Sequence, residues 1–462
     1  MSNFTDNTDN IDNTDIIMET IEEYIRDHYN LLAETDFEDI LTQDLLHLFC
    51  PFPPETKKRT KRNKTEDPIR DIVYEDMEEH IEEAIQHYFT YVMPRRSYQS
   101  SFTFGNKDLE KIEQKLEYIR SKPQPAQRTE DWYKFRHNLI TASELSKAFD
   151  SQAVQNSLIY SKCKPWTPMG RCTNTESPLH WGQKYEPISA MLYEHIYNTK
   201  IAEFGCIQHD TLPFIGASPD GINIDKNSPR FGRLLEIKNV LSRVIDGIPL
   251  KEYWIQMQAQ MEVCDLDECD FLETKFVEYN GYRDYFEDKF VQGSFVEYCS
   301  DDEEDIDNGP SLINGDSVEE SVDKEQEQEK ETEMEPEPAV KPPHCPYKYK
   351  GCIMMFSLIT DQIPVYEFKP LMLNDDDEET IWEEETVKKY ETKGYRWIKN
   401  IYWKLQVFSC VLVLRNRFWF NSSVPQMRSI WETIEKERVD GYDHRAPKSR
   451  SKKIEVTLLQ KE

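Results

Sequence analysis

Residues 214–224 read FIGASPDGINI, and residues 232–240 read GRLLEIKNV. Asp220-Gly221 is a turn dipeptide between two short apolar runs, which predicts a hairpin with Asp220 at its tip or shoulder. In the second run Leu235 and Ile237 face one way, and Leu234, Glu236 and Lys238 the other. A strand therefore sets the Glu236 carboxylate and the Lys238 ammonium on one face, ~7 Å apart along the chain. Charges in the middle of an apolar strand are costly unless paired or bound to a metal. With Asp220 delivered by the neighbouring hairpin, two carboxylates and a lysine converge. Such oxygen donors suit a hard cation, Mg²⁺ or Mn²⁺. A cation there can bind a scissile phosphate, lower the pKa of a water and stabilise a leaving oxygen. Lys238 would position that water or help to deprotonate it.

The E-x-K spacing alone carries little weight, because it recurs at 113–115, 273–275 and 287–289, where exposed charge is the natural reading. Glu236 differs in having apolar neighbours, a PDG turn at hairpin distance, and further blocks around it. Upstream lies WYKFRHNLITASELSKAF (132–149), in which Thr141 to Glu144 match a capping box flanked by Ile140 and Leu145 as a hydrophobic staple. A helix starting there leaves free N–H groups near Ser143, an anion site with Arg136 close in sequence. Next comes HWGQKYEPISAMLYE (180–194), where Pro187 suits a first helical turn and so sets Glu186 near a helix start. Downstream, YWIQMQAQMEV (253–263) predicts a helix with Gln256 and Gln260 one turn apart and Gln258 pointing elsewhere. Tyr253, Met257 and Met261 read as its core positions.

These four ordered blocks, spanning about residues 130–280, resemble the lambda-exonuclease-like (YqaJ) viral recombinase group of PD-(D/E)xK nucleases. The resemblance implies an α/β fold with a restriction-endonuclease-like core, a mixed central sheet flanked by helices, preceded here by an N-terminal helical module. It implies metal-dependent hydrolysis of DNA, 5′→3′ from duplex ends, in viral recombination, repair or replication. Asp220 and Glu236 would hold Mg²⁺ or Mn²⁺ with Glu186 as a further ligand, and Lys238 would assist. Arg136 and Ser143 would bind a DNA phosphate. A glutamine of the fourth block would contact the catalytic water or lysine, and both Gln256 and Gln258 fit that pattern, Gln256 better. A single-strand annealing protein and a homo-oligomer are the partners such a nuclease implies. An endonuclease on the same core, or a silent nucleic-acid-binding or virion protein, is the competing reading; the retained charges argue against the silent one.

The rest of the chain bounds this reading. Its 462 residues are 38% hydrophobic and 12% aromatic, enough for a sizeable core despite 31% charged residues. No run approaches the ~20 apolar residues that span a bilayer. Residues 1–15 read as a polar flexible tail without signal-peptide character. The ten cysteines are scattered with no CxxC pair, Cys264 and Cys269 reading as incidental thiols, so a reducing compartment is expected. The expected location is intracellular, in a host cytoplasm or viral factory or packaged in a virion, and not secreted. His180, His195 and His209 form no spaced ligand set, and no phosphate-binding GxxxxGK[ST] loop occurs.

A net charge of −31 is awkward for a DNA-binding protein. Between Asp301 and Glu337, however, 17 acids face two lysines, a net of −15, which leaves −16 elsewhere. DNA must then meet a locally basic groove or a metal ion. Helical periodicity runs through 16–50, and an amphipathic stretch follows from 68 to about 93, beyond the basic octet 57–64. Strands are expected at 203–208, 213–217, 232–239 and 270–279, a strand pair at 351–371 turning at 360–362, and a helix over about 380–414. The expected organisation is a tail at 1–15, a helical accessory module at 16–125 and a catalytic core at 126–300. An acidic insertion at 301–343, the remaining nuclease strands and helices at 344–440, and a basic tail at 441–462 complete it.

Overall fold

The computed structural model describes residues 13–50, 68–98, 107–168, 174–294, 347–358 and 363–447. The basic octet, the turn at 360–362, the acidic insertion, the first twelve residues of the N-terminal tail and the end of the basic C-terminal tail lie outside the described residues.

The described residues up to His137 are helical, as their 3.6-residue periodicity dictates: α1 (Asn13–Asp27), α2 (Phe37–Phe49), α3 (Pro68–Tyr91), α4 (Leu109–Ser121) and α5 (Glu130–His137). Asp108 and Thr129 cap α4 and α5 by accepting from Lys111 N and Trp132 N. The catalytic region then alternates short strands with helices: β1 (Ile140–Thr141), α6 (Ala142–Leu145), α7 (Gln152–Cys163) and α8 (Pro178–Ile196). After these come β2 (Ile201–Ala202), β3 (Ile207–Gln208), β4 (Ile215–Ala217), β5 (Gly221–Asn223), β6 (Leu234–Asn239), α9 (Lys251–Cys264) and β7 (Glu268–Glu278). The C-terminal part adds α10 (Tyr282–Glu287), β8 (Lys350–Leu358), β9 (Pro364–Phe368), α11 (Asp376–Glu391), β10 (Tyr395–Leu414) and α12 (Arg417–Asp440).

The chain forms two compact units. The first comprises Met1–Asn239, Gly247–Glu273 and Cys410–Glu462. In it β2, β5, β6 and β7 are neighbours in that order, and a separate sheet has the order β1-β4-β3. The β1–β4 pairing is parallel, whereas β2–β5, β5–β6 and β3–β4 are antiparallel, so the unit is mixed α/β. One buried apolar cluster joins Ile21, Leu41 and Ile81 of the N-terminal helices with Ile215, Met257 and Trp419. Trp254 of α9 meets Trp419 of α12 edge to face at 5.0 Å, a geometry that favours aromatic pairs. The second unit, Val240–Asp246 and Thr274–Ser409, contains the antiparallel neighbours β10, β8 and β9. Cys352, Met354, Phe356 and Tyr390 form a buried apolar cluster in it. Among the described residues no helix is long and apolar enough to cross a membrane.

Gly232 opens the return of the β5–β6 hairpin with φ +80° and donates from its N–H to Asn223 O. A Cβ there would stand 2.3 Å from Ile112 Cγ2 of α4, so only glycine combines that backbone with that packing.

Several local expectations are corrected. The helix expected over 380–414 ends at Glu391. Gly394 adopts φ +81°, and beyond it Ile401, Trp403 and Leu405 are buried with Tyr402 and Lys404 more open between them. That period of two makes β10 a 20-residue strand. The strand expected at 203–208 shrinks to β3, because the preceding N–H groups of Gly205 and Cys206 donate to Gln124 and Pro125. Cys264 and Cys269 are buried free thiols, as expected.

Candidate active site

The site is built on β6. Its alternation buries Leu235 and Ile237 on one face and sets Glu236 and Lys238 side by side on the other, in direct ion-pair contact. Glu236 is 1% exposed, whereas Lys238 is partly open. A carboxylate so deeply buried needs partners for both oxygens, and α9 supplies them. Gln256 Nε2 donates to Glu236 Oε1 at 2.7 Å, and Gln260 Nε2, one turn on, donates to Oε2 at 2.6 Å. Gln256 also accepts from Lys238 Nζ at 3.4 Å, and Tyr253 of the same helix sets its ring 4.7 Å from that ammonium. Gln258 points away, holding Leu414 O and Asn416 N. The structure thus brings Gln256 to the cluster, leaves Gln258 out, and adds Gln260. The i, i+4 spacing placed Gln260 beside Gln256 without showing that both face Glu236.

Asp220 reaches the cluster from the residue before β5. Its Oδ2 accepts from Ile237 N at 2.7 Å, which ties it between Glu236 and Lys238. The expected hairpin position is corrected: β4 and β5 belong to different sheets, the hairpin is β5–β6 with its tip at 224–233, and Asp220 lies at its open end.

Glu186 comes from α8. The expectation that Pro187 marks a first helical turn is corrected: α8 starts nine residues earlier, at Pro178, where Ser177 caps His180 N. Pro187 sits inside the helix, and Glu186 is a mid-helix residue with no N-terminal dipole to favour it. What fixes it is packing. Ser189 donates to Asn239 Oδ1 at 2.7 Å, and Asn239 Nδ2 donates to Gly182 O at 3.0 Å, clamping α8 to the end of β6. Arg128 Nη2 then donates to both Glu186 oxygens at 2.7 Å. Arg128 was not legible in the sequence. It has a left-handed φ of 64° and meets a partner 58 residues away.

Desolvation, then repulsion from Glu236 and Glu186, pushes the Asp220 carboxyl well above the ordinary range. Glu186 is raised for the same leading reason, with Arg128 opposing and Glu236 adding. Burial alone would lower the Lys238 ammonium, but the Glu236 and Asp220 carboxylates outweigh it and hold it above its usual value. Mutually repelling acids at a partly exposed cluster are the donor chemistry of a hard-cation site. Among the described residues no three His, Cys, Asp or Glu are grouped so that together they could hold a metal ion. Mg²⁺ needs only one or two carboxylates and keeps several waters, so Asp220 and Glu236 are the residues that could hold it.

Arg136 and Ser143 are brought together. Arg136 Nη2 donates to Ser143 Oγ at 3.0 Å, its guanidinium lies 4.2 Å from the Trp132 ring, and Nη1 reaches Ser218 Oγ at 3.4 Å. Among the described residues Arg136 has no carboxylate partner, and Ser218 is two residues from Asp220. The capping box is corrected: Thr141 Oγ1 caps no N–H and instead donates to Glu144 Oε2 at 2.7 Å, and Glu144 is paired with Lys162. With α6 only four residues long, any anion held here would meet Arg136 and neighbouring hydroxyls and not a helix end.

Part of the chain is similar to known proteins. Residues 131–267 match the YqaJ-like viral recombinase domain. Uncharacterized protein R354 of Acanthamoeba polyphaga mimivirus is 27% identical over 422 residues, covering 87% of this chain and 67% of that protein. An alkaline exonuclease (LHK-Exo) from Laribacter hongkongensis is 26% identical over 32% of this chain and 74% of its own, with a TM-score of 0.26. Its complex with dAMP matches with the same identity and TM-score, over 31% and 73%. The segment 131–267 is thus similar to the YqaJ-like viral recombinase domain, and the mixed α/β fold that carries Asp220, Glu236 and Lys238 is consistent with a PD-(D/E)xK-like core.

Proposed function

We propose that this chain is a metal-dependent DNA exonuclease that degrades duplex ends 5′→3′ in the recombination, repair or replication of a large DNA virus. The observation that carries the reading is the buried Glu236, paired with Lys238 and clamped at both oxygens, with Asp220 tied to the same strand. A divalent cation, Mg²⁺ or Mn²⁺, held by Asp220 and Glu236 would supply Lewis acidity and an activated water. The chain's own residues do the rest. Gln256 and Gln260 fix the plane of the Glu236 carboxylate. Lys238 sets a positive charge where the phosphate gains negative charge during hydrolysis and orients the attacking water. Arg128 holds Glu186 in place. Arg136, with Ser143 and Ser218, would bind a DNA phosphate, which makes the site suited to an end. A single-strand annealing protein, a homo-oligomeric assembly and action in a viral factory, in host cytoplasm or in a virion belong to the same proposal.

The test is Lys238→Ala. Loss of a preorganised charge at the reacting phosphate is expected to lower Mg²⁺-dependent DNA hydrolysis about 10²- to 10³-fold, with the thermal unfolding profile retained. Undiminished degradation would refute the site.

Gln260→Leu keeps the volume near α9 and removes the donor to Glu236 Oε2. Partners of ligand carboxylates typically contribute about 10- to 100-fold in metal affinity. The half-saturating Mg²⁺ concentration is therefore expected to rise about tenfold or more, while the rate at saturating Mg²⁺ falls less. An unchanged Mg²⁺ titration would remove Gln260 from the site.

A further inference from the structure

The second unit carries an exposed feature that the catalytic reading does not use. Trp397 and Ile398 are 45% and 44% exposed at the start of β10, just after the last turn of α11. A bulge between Trp397 and Lys399 interrupts the register with β8 and leaves Ile398 as the extra residue. Bulges re-aim side chains. The indole is also held: Trp397 Nε1 donates to Asn400 Oδ1 at 2.9 Å, and Asn400 Nδ2 donates to Glu383 at 2.8 Å and Tyr402 OH at 3.2 Å. A large aromatic ring kept open to water yet fixed in orientation is a preorganised contact surface.

Its surroundings are basic in a chain of net charge −31. Residues 388–399 contain Lys388, Lys389, Lys393, Arg396 and Lys399 against the single acid Glu391. All five cations are exposed. Lys389 pairs with Glu367 at 2.9 Å, but among the described residues Lys388, Lys393, Arg396 and Lys399 make no ion pair. The other acids of α11 precede these cations in sequence, from Asp376 to Glu385, and of them Glu383 reaches Asn400 beside the indole.

We propose that this corner, formed by the last turn of α11 and the first residues of β10, binds single-stranded DNA. Trp397 stacks on a base, and Arg396, Lys399, Lys388 and Lys393 meet phosphates of the strand. Stacking needs an open base face, which a single strand offers and an intact duplex keeps inside. An acidic protein surface would use the cations without needing the fixed indole, and that difference makes the two occupants separable. The site lies outside residues 131–267 and stands independently of the catalytic reading.

The experiment is fluorescence anisotropy of the full chain with a fluorescein-labelled 20-nucleotide oligo(dT) in EDTA, against a blunt duplex of equal length. Trp397→Ala is expected to weaken oligo(dT) binding about five- to one-hundredfold, with duplex binding changed less. Trp397→Phe, which keeps an aromatic face, should restore most of the affinity. The Arg396→Ala/Lys399→Ala pair should reduce the slope of log affinity against log salt by about 1.4. Wild-type affinity in Trp397→Ala would overturn the proposal, whatever the charge variants do. So would an equal loss on duplex and single strand.

Discussion

Glu236→Gln is expected to lower Mg²⁺-dependent DNA hydrolysis about a thousandfold. A divalent cation contributes several kcal/mol of charge stabilisation at a phosphate, and each ~1.4 kcal/mol is a factor of ten in rate. The substitution is nearly isosteric, so its effect comes from charge and hydrogen-bond polarity. It removes the carboxylate that pairs with Lys238, and it turns one oxygen into an NH₂ that faces the amide donor of Gln256 or Gln260. One of those two contacts must then become donor against donor, or one amide must flip. The measurement is the initial rate of nucleotide release at saturating Mg²⁺, with circular dichroism as the check on folding. Retention of a tenth or more of the wild-type rate by folded protein would show that Glu236 is not at the reacting centre.

The second large effect is on stability. Asp270→Ala is expected to destabilise the first unit by about 3–5 kcal/mol, because it strips two buried guanidiniums of a shared partner. Arg233 Nη1 donates to Asp270 Oδ1 at 3.0 Å, Arg230 pairs with the other carboxylate oxygen, and Tyr193 OH donates to that oxygen at 2.6 Å. Asp270 and Arg233 are fully buried and Arg230 is 6% exposed, so little water is there to replace the lost charge. The network also ties α8 through Tyr193, and β5 through Asn223 Nδ2, which donates to Tyr193 OH at 2.9 Å. The helix of Glu186 and the strand after Asp220 therefore share one buried anchor. Urea unfolding monitored by tryptophan fluorescence reads the loss, and Asp270→Asn, which keeps acceptor and shape, should recover part of it. A destabilisation below about 1 kcal/mol would show that the network is dispensable.

How much of this was legible depends on the range of the interaction that decides it. Glu236 and Lys238 were legible because strand alternation is local, and charge on an apolar strand needs a reason. Asp220 was legible as chemistry but misplaced as geometry: a PDG turn does not say that β4 joins one sheet and β5 another. Gln256 and Gln260 were legible as one helix face, and only the rotation of α9 against β6 showed that the face meets both oxygens of Glu236. Pro187 misled, because a proline inside a long helix looks like a helix start when the Ser177-Pro178 start goes unread. The error at β10 has a local cause as well. Aromatic residues at mixed spacing continue the pattern of α11 in sequence, and the left-handed φ of Gly394, just past Glu391, separates the helix from the strand. Arg128 and the Asp270 network were out of reach, since their partners lie tens of residues away and meet only after the α8–β6 packing forms.

The most direct test of the central claim is digestion of 5′-labelled linear duplex and covalently closed circular duplex, each with Mg²⁺ and with EDTA. The expected result is release of label from the linear substrate in Mg²⁺, an intact circle, no release in EDTA, and release slowed about 10²- to 10³-fold with Lys238→Ala. Cutting of the closed circle at a comparable rate would replace the exonuclease reading with an endonuclease on the same site. Release of label in EDTA, or at an undiminished rate by the Lys238 variant, would contradict the account at its centre.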